Sequence, residues 1–169
     1  MKLIDLHEEQ IDLEASLKEL GVRHYKIHNG VVDVDGNVDI RNKKLKKIPV
    51  QFGVVTGNFL CGHNKLKSLQ GAPREVGGNF GCGYNKLTSL EGVPREVGGG
   101  FWCDFNNLTS LQGSPIEVGG NFCCESNKLT SLQGAPMEVG LRFMCGNNKF
   151  ITEPDCSFIV LEGKFYGEF

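Results

Sequence analysis

The segment Gly98-Gly99-Gly100-Phe101-Trp102-Cys103-Asp104-Phe105-Asn106-Asn107-Leu108-Thr109-Ser110-Leu111 decides the architecture, because it recurs along the chain every 21 residues without a gap. Phe returns at 59, 80, 101, 122 and 143, Cys at 61, 82, 103, 124 and 145, and Asn at 64, 85, 106, 127 and 148. Leu66, Leu87, Leu108 and Leu129 follow in phase, with Phe150 closing their column. Leu69, Gly71, Pro73 and Val76 begin further columns that repeat at the same spacing. So many columns in one phase identify a solenoid, in which each unit buries its apolar face only against its neighbours. The alternation Phe-x-Cys predicts a short strand with both apolar side chains on one face. Gly, Asn and Pro punctuate the rest of the unit and leave no room for a helix. Parallel strands stacked about 4.8 Å apart would turn Phe, Cys, Leu, Leu and Val into core ladders.

The fragment L-x-F-x-C-x-x-N-x-L, with Gly at its first position, resembles the leucine-rich repeat, L-x-x-L-x-L-x-x-N-x-L, over residues 36–150. The half-turn N-x-L-T-S-L is similar to the short repeats of bacterial type III effectors. The phrase D-V-D-G-x-V-x-I-x-N-K-x-L-K-K-I-P, here Asp33 to Pro49, resembles the lead-in of repeat proteins carried by large tailed bacteriophages. The resemblance implies a mainly β solenoid, a right-handed stack of about six short parallel strands. It also implies an Asn column bonding backbone groups between coils and a concave surface made by the Phe-x-Cys strands. The atypical first copy has Val38 and Ile40 for Phe and Cys, and Lys43 in the Asn slot; at the far end Leu141 replaces the second Gly.

Residues 1–35 are expected to cap one end. Within them a helix spans 3–20, with Leu6, Leu13, Leu17 and Leu20 on one stripe and Gly21 as its terminator. Ile4, Ile11 and Ala15 form a second stripe that would suit a partner helix or a homodimer. A hairpin over 24–34 turns at Asn29-Gly30. Residues 151–169 are expected to form a strand-rich C-terminal cap, whose apolar residues could also serve a homodimer.

The chain has 169 residues, 23 glycines and only three alanines, which argues against a helical bundle. Its net charge of −2 is no footprint of a general polyanion binder, so nucleic acid is not an expected partner. The basic run Arg41, Lys43, Lys44, Lys46 and Lys47 has no interleaved aromatics and is read as a solvated surface. The start Met1-Lys2-Leu3-Ile4-Asp5 lacks a signal-peptide apolar run, and no stretch suits a membrane span, so a soluble cytoplasmic protein is expected. The seven cysteines form no CxxC pair. Zinc needs ligands converging on one point, whereas a ladder spreads its sulfurs along a line, so the cysteine column is read as core. Cys123, in an outward slot, is expected to be an exposed thiol, and Cys156 lies outside the ladder. Asp33 to Asp39 faintly resembles a calcium loop, but Val38 stands where the EF-hand needs its Gly. Histidines 7, 24, 28 and 63 have no triad spacing, and the Glu75, Glu96, Glu117, Glu138 column is a regular stripe rather than a converging pair. No catalytic, metal or cofactor site is expected.

The informative slots are those the repeat leaves free. Between Phe and Cys stand Leu60, Gly81, Trp102, Cys123 and Met144; after Cys come Gly62, Gly83, Asp104, Glu125 and Gly146; next are His63, Tyr84, Phe105, Ser126 and Asn147. Strand alternation puts the first two columns opposite the core. Leu60, His63, Tyr84, Trp102, Asp104, Phe105, Cys123, Glu125, Arg142 and Met144 are therefore the expected partner-binding residues, centred on Trp102. The expectation is a non-catalytic protein-binding module. The phage resemblance adds a viral product acting on a host protein, such as an antiviral defence enzyme. Self-association through the caps and sequestration of a small ligand by the aromatic face are the alternatives.

Overall fold

The computed structural model of the chain describes residues 3–151 and the strand residues 160–161 and 165–166, with side-chain surroundings from residue 12 to residue 151. The side chains of Ile4, Leu6 and Ile11, together with Cys156 and the side chains of the C-terminal segment, lie outside what is described. Helix α1 (Leu3–Leu20) ends where Gly21 takes a φ of 77°. Gly21 N–H donates to Lys18 O and Val22 N–H to Leu17 O, the paired bonds of a Schellman motif. Leu17, Leu20 and Val22 are buried in the main core with Leu13 packed against them, so this stripe covers the end of the stack, while Ala15 is exposed.

Strands β1 (Tyr25–His28) and β2 (Val31–Val34) form the hairpin. Asn29 and Gly30 have φ of 51° and 76°, the two positive values a type I′ turn requires. Strand β3 (Val38–Asp39) follows, and β4 (Gln51–Val55) then pairs in parallel with β2. From there every coil contributes two strands. The Phe strands are β5 (Phe59–Leu60), β7 (Phe80–Gly81), β9 (Phe101–Trp102), β11 (Phe122–Cys123) and β13 (Phe143–Met144). The Val strands are β6 (Glu75–Val76), β8 (Glu96–Val97), β10 (Glu117–Val118) and β12 (Glu138–Val139). Strands β14 (Val160–Leu161) and β15 (Phe165–Tyr166) extend the two series.

The fold is thus a β solenoid in which the described residues form two sheets, one of seven strands running β3 to β15 and one of eight running β1 to β14. The six Phe-type strands expected from the repeat gain a seventh from Phe165–Tyr166. The Val sheet was not anticipated. A two-residue strand is too short to show alternation, and its inward Val follows a Pro that reads as turn punctuation. Its physical basis is simple: Val76, Val97, Val118 and Val139 are buried while the glutamates before them are exposed.

Between the sheets lie the ladders. Phe59, Phe80, Phe101, Phe122 and Phe143 are fully buried, their successive rings 5.0 to 5.4 Å apart. Cys61, Cys82, Cys103, Cys124 and Cys145 are also fully buried. Burial pushes the Cys61 thiol up to about 12. The corner joining each Val strand to the next Phe strand is Gly-Gly-Asn in its regular form. A Cβ on Gly98 would sit 2.2 Å from Gly77 O, so only glycine lets the coils approach this closely. Asn58 Oδ1 accepts from Asn79 N–H at 2.7 Å, and Asn79 Oδ1 accepts from Gly100 N–H at 2.8 Å, which makes a second asparagine ladder at this corner.

The main asparagine column does what the leucine-rich-repeat resemblance implied. Asn106 Nδ2 donates to Cys82 O one coil back and to Cys103 O and Asp104 O in its own coil, while its Oδ1 accepts from Leu87 N–H. Asn85 and Asn127 repeat the pattern. Removing such a side chain orphans buried backbone groups at about 1–3 kcal/mol each. Asn106→Ala should therefore lose about 3 kcal/mol or more, and Asn79→Ala, half-buried at the corner, about 1 kcal/mol. Urea unfolding midpoints measure both; equal losses would show that the main ladder has no special role.

Candidate functional site

In-register pairing sets the outward slots of the Phe sheet side by side: Leu60 beside Gly81, Gly81 beside Trp102, Trp102 beside Cys123 and Cys123 beside Met144. Leu60, Trp102 and Met144 are half-buried. The Trp102 ring lies against Gly100, where an added Cβ would fall 2.4 Å from the indole. Gly100 stands in the corner column occupied elsewhere by Asn37, Asn58, Asn79 and Asn121, and the missing side chain leaves the space the indole takes. Arg142 holds the same column in the last copy and is exposed at the rim of this face.

Cys123 corrects the sequence reading. Its side of the sheet faces outward, yet the residue is only 5% exposed, because Trp102 and Met144 flank it in the adjoining coils. Its Sγ lies 3.7 Å from Glu125 Oε2, and burial pushes the thiol up to about 12. Cys123 is part of the floor of the face rather than a reactive surface group.

Asp104 and Glu125 come next, both half-buried and in adjacent coils. A Cβ on Gly83 would lie 2.7 Å from Asp104 Oδ1, so the carboxylate leans over a glycine of the preceding coil. Burial raises the Asp104 carboxyl above its ordinary value, and the charge of Glu125 pushes the same way.

The third column is the most unusual. His63, Tyr84, Phe105, Ser126 and Asn147 all have φ between 51° and 55°, the left-handed region. Asn tolerates that conformation, but a bulky L-residue is held there at about 1–2 kcal/mol. Each turn is fixed from both sides: Tyr84 N–H donates to Asp104 O, and the neighbouring Asn85 Nδ2 donates to Cys82 O. The rings then stack, His63 on Tyr84 at 4.3 Å and Tyr84 on Phe105 at 4.2 Å. Tyr84 and Phe105 remain 44% and 46% exposed. This left-handed column could not be read from the sequence, because neither Gly nor Asn marks its three aromatic members.

The structure thus brings all ten expected residues onto or beside one face, with the rings and the two carboxylates at its centre. A different groove, of about 690 Å³, runs along the outer side of the Val sheet between the glutamate and glycine columns. Glu96, Glu117 and Glu138 stand next to one another there, and Arg74 Nε lies 3.7 Å from Glu75 Oε1 in an exposed pair. That groove offers backbone and mutually repelling carboxylates, whereas the Phe sheet offers rings with partly buried charge. Among the described residues no group of three His, Cys, Asp or Glu side chains is placed to hold a metal ion, and no helix is long and apolar enough to cross a membrane. No family model, curated protein or solved structure matches the chain.

The raised Asp104 carboxyl has a consequence for stability. A carboxyl whose folded-state value is raised binds its proton more tightly in the native state, so stability falls as pH rises from the ordinary value of 3.8 through the folded one. Asp104→Asn should be more stable than the wild type at pH 7, and the advantage should vanish on acidification below that window. Melting temperatures across the range measure this; a pH-independent difference would mean that Asp104 is ordinarily solvated.

Proposed function

We propose that the chain is a non-catalytic protein-binding module that takes its partner on the outer face of the Phe sheet, around Trp102 and the His63–Tyr84–Phe105 stack. The observation that carries this reading is the left-handed aromatic column. At Asn42 and Asn147 the chain uses a residue suited to the conformation, but between them it holds exposed rings against backbone preference. Strain retained in bulky exposed residues is best accounted for by what their side chains do. Six strands from β3 to β13 at about 4.8 Å span roughly 25 Å, enough for an interface near 800 Å² per partner. Aromatic anchors beside half-buried Asp104 and Glu125 favour a partner that brings a Lys or Arg to the centre, where cation–π and charge contacts coincide. The resemblance to repeat proteins of tailed bacteriophages extends the reading to a viral product that binds and inhibits a host defence protein in the bacterial cytoplasm; that step rests on the resemblance alone.

The conformational argument supplies the test. Replacing Tyr84 by Asn removes two ring stacks, about 0.5–1.5 kcal/mol each, and relieves about 1–2 kcal/mol of backbone strain. The double variant Tyr84→Asn/Phe105→Asn should therefore melt close to the wild type while losing a partner captured from bacterial lysate, as should Trp102→Ala. Equal recovery by wild type and double variant would refute the site. Recovery of this chain alone would move the function to self-association.

A further inference from the structure

Four lysines that are scattered in the sequence meet in the fold. Lys65 and Lys86 follow Asn64 and Asn85 in successive coils, and their backbone N–H groups donate to Leu45 O and Leu66 O at 2.8 Å, so their Cα positions are tied to the stack. Lys46 and Lys67 occupy equivalent positions of two coils, 21 residues apart. Together Lys46, Lys65, Lys67 and Lys86 line a cleft of about 300 Å³, and no other described residue contributes to it. All four are exposed, and among the described residues none is ion-paired: the carboxylate pairs formed are Arg41 with Asp39 and Arg74 with Glu75.

Two other members of the basic run, Arg41 and Lys43, are engaged elsewhere. Arg41 is bound to Asp39 through Nε at 2.9 Å and Nη2 at 2.6 Å, and Lys43 Nζ donates to Glu19 O at 3.4 Å. In the Lys65 column Lys44 stands one coil earlier, and beyond Lys86 Asn107 interrupts the lysines before Lys128 and Lys149 resume. Positive charge is densest at the cleft, where lysines of two neighbouring columns meet. The glutamate column Glu75, Glu96, Glu117 and Glu138 lines the groove on the Val sheet instead. Four lysines lining one cleft bring like charges together, a repulsion that an anion relieves, and each ammonium offers three donors.

We propose that the cleft formed by Lys46, Lys65, Lys67 and Lys86 is a binding site for a compact polyphosphate anion, inorganic or carried by a nucleotide. The volume lies at the lower end of ligand sites and suits a few linked phosphates. Among the described residues no ring lines the cleft, so no base is stacked, and the phosphates alone are recognised. The site is separate from the aromatic face and stands whether or not that face binds a protein.

Calorimetric titration of the full chain with inorganic tripolyphosphate at low salt tests this directly. One saturating equivalent is expected, with pyrophosphate weaker and orthophosphate weakest. Adenosine triphosphate should match tripolyphosphate within about threefold, since the cleft reads only phosphate charge. The exposed pair Lys65→Gln/Lys86→Gln should weaken binding at least about tenfold with an unchanged melting temperature, as should raising the salt to physiological strength. The control Lys128→Gln/Lys149→Gln should leave it intact. Absence of saturable tripolyphosphate binding, or equal losses in both variant pairs, overturns the proposal. A single-stranded oligonucleotide that binds far more tightly than tripolyphosphate and needs Lys128 and Lys149 also overturns it, in favour of an extended polyanion surface. A much tighter nucleotide than tripolyphosphate would overturn the phosphate-only recognition.

Discussion

The structure depends on one constraint, the side-chain amide of the buried asparagine in each coil. Asn85, Asn106 and Asn127 each hold a carbonyl of their own strand end and one of the preceding coil, and accept an N–H from that coil. A slip of one residue would leave those groups buried and unpaired, which fixes the register far more firmly than Phe-on-Phe packing could. Once register is fixed, every residue lies beside its equivalent 21 positions away. The stack then multiplies whatever chemistry a column carries.

That multiplication separates structural columns from the others. Stacked Phe and stacked Cys gain from the arrangement, since like apolar surfaces fill a shared core. Stacked Glu and clustered Lys lose by it, because like charges at ladder spacing repel. A ring forced into the left-handed region also loses locally. The columns that work against the fold are therefore confined to its surface, on three separate faces: rings on the Phe sheet, glutamates on the Val sheet, and lysines on the turn after the asparagine. In a chain whose core slots are nearly fixed by packing, these faces are where function has room to act.

Most of the architecture was legible because a period-two alternation inside a period of 21 leaves little freedom. The helix stop at Gly21 and the Asn29-Gly30 turn were readable for the same reason, each being a residue whose backbone preference matches its place. What escaped had no such signature. Glu-Val is too short to alternate, so the second sheet was hidden. Cys123 was placed on the correct side of its strand, but its burial is set by Trp102 and Met144, 21 residues away in either direction. The lysine cleft was split between the run at 41–47 and two later repeats, so only its first member, Lys46, stood in the basic run as read.

The candidate face shows the same division at finer scale. Sequence alternation sufficed to place Trp102, Met144 and Leu60 outside, but not to say how they settle there. Leu60 leans over Gly81 and Trp102 over Gly100, while Asp104 leans over Gly83. These three side chains are thus each paired with a glycine in their own or an adjoining coil, and rest on backbone instead of reaching into water. A side chain supported in this way loses little further freedom on contact with a partner, which lowers the ordering cost of binding. Gly81, Gly83 and Gly100 are therefore part of the face: they make the platform on which Leu60, Asp104 and Trp102 are held.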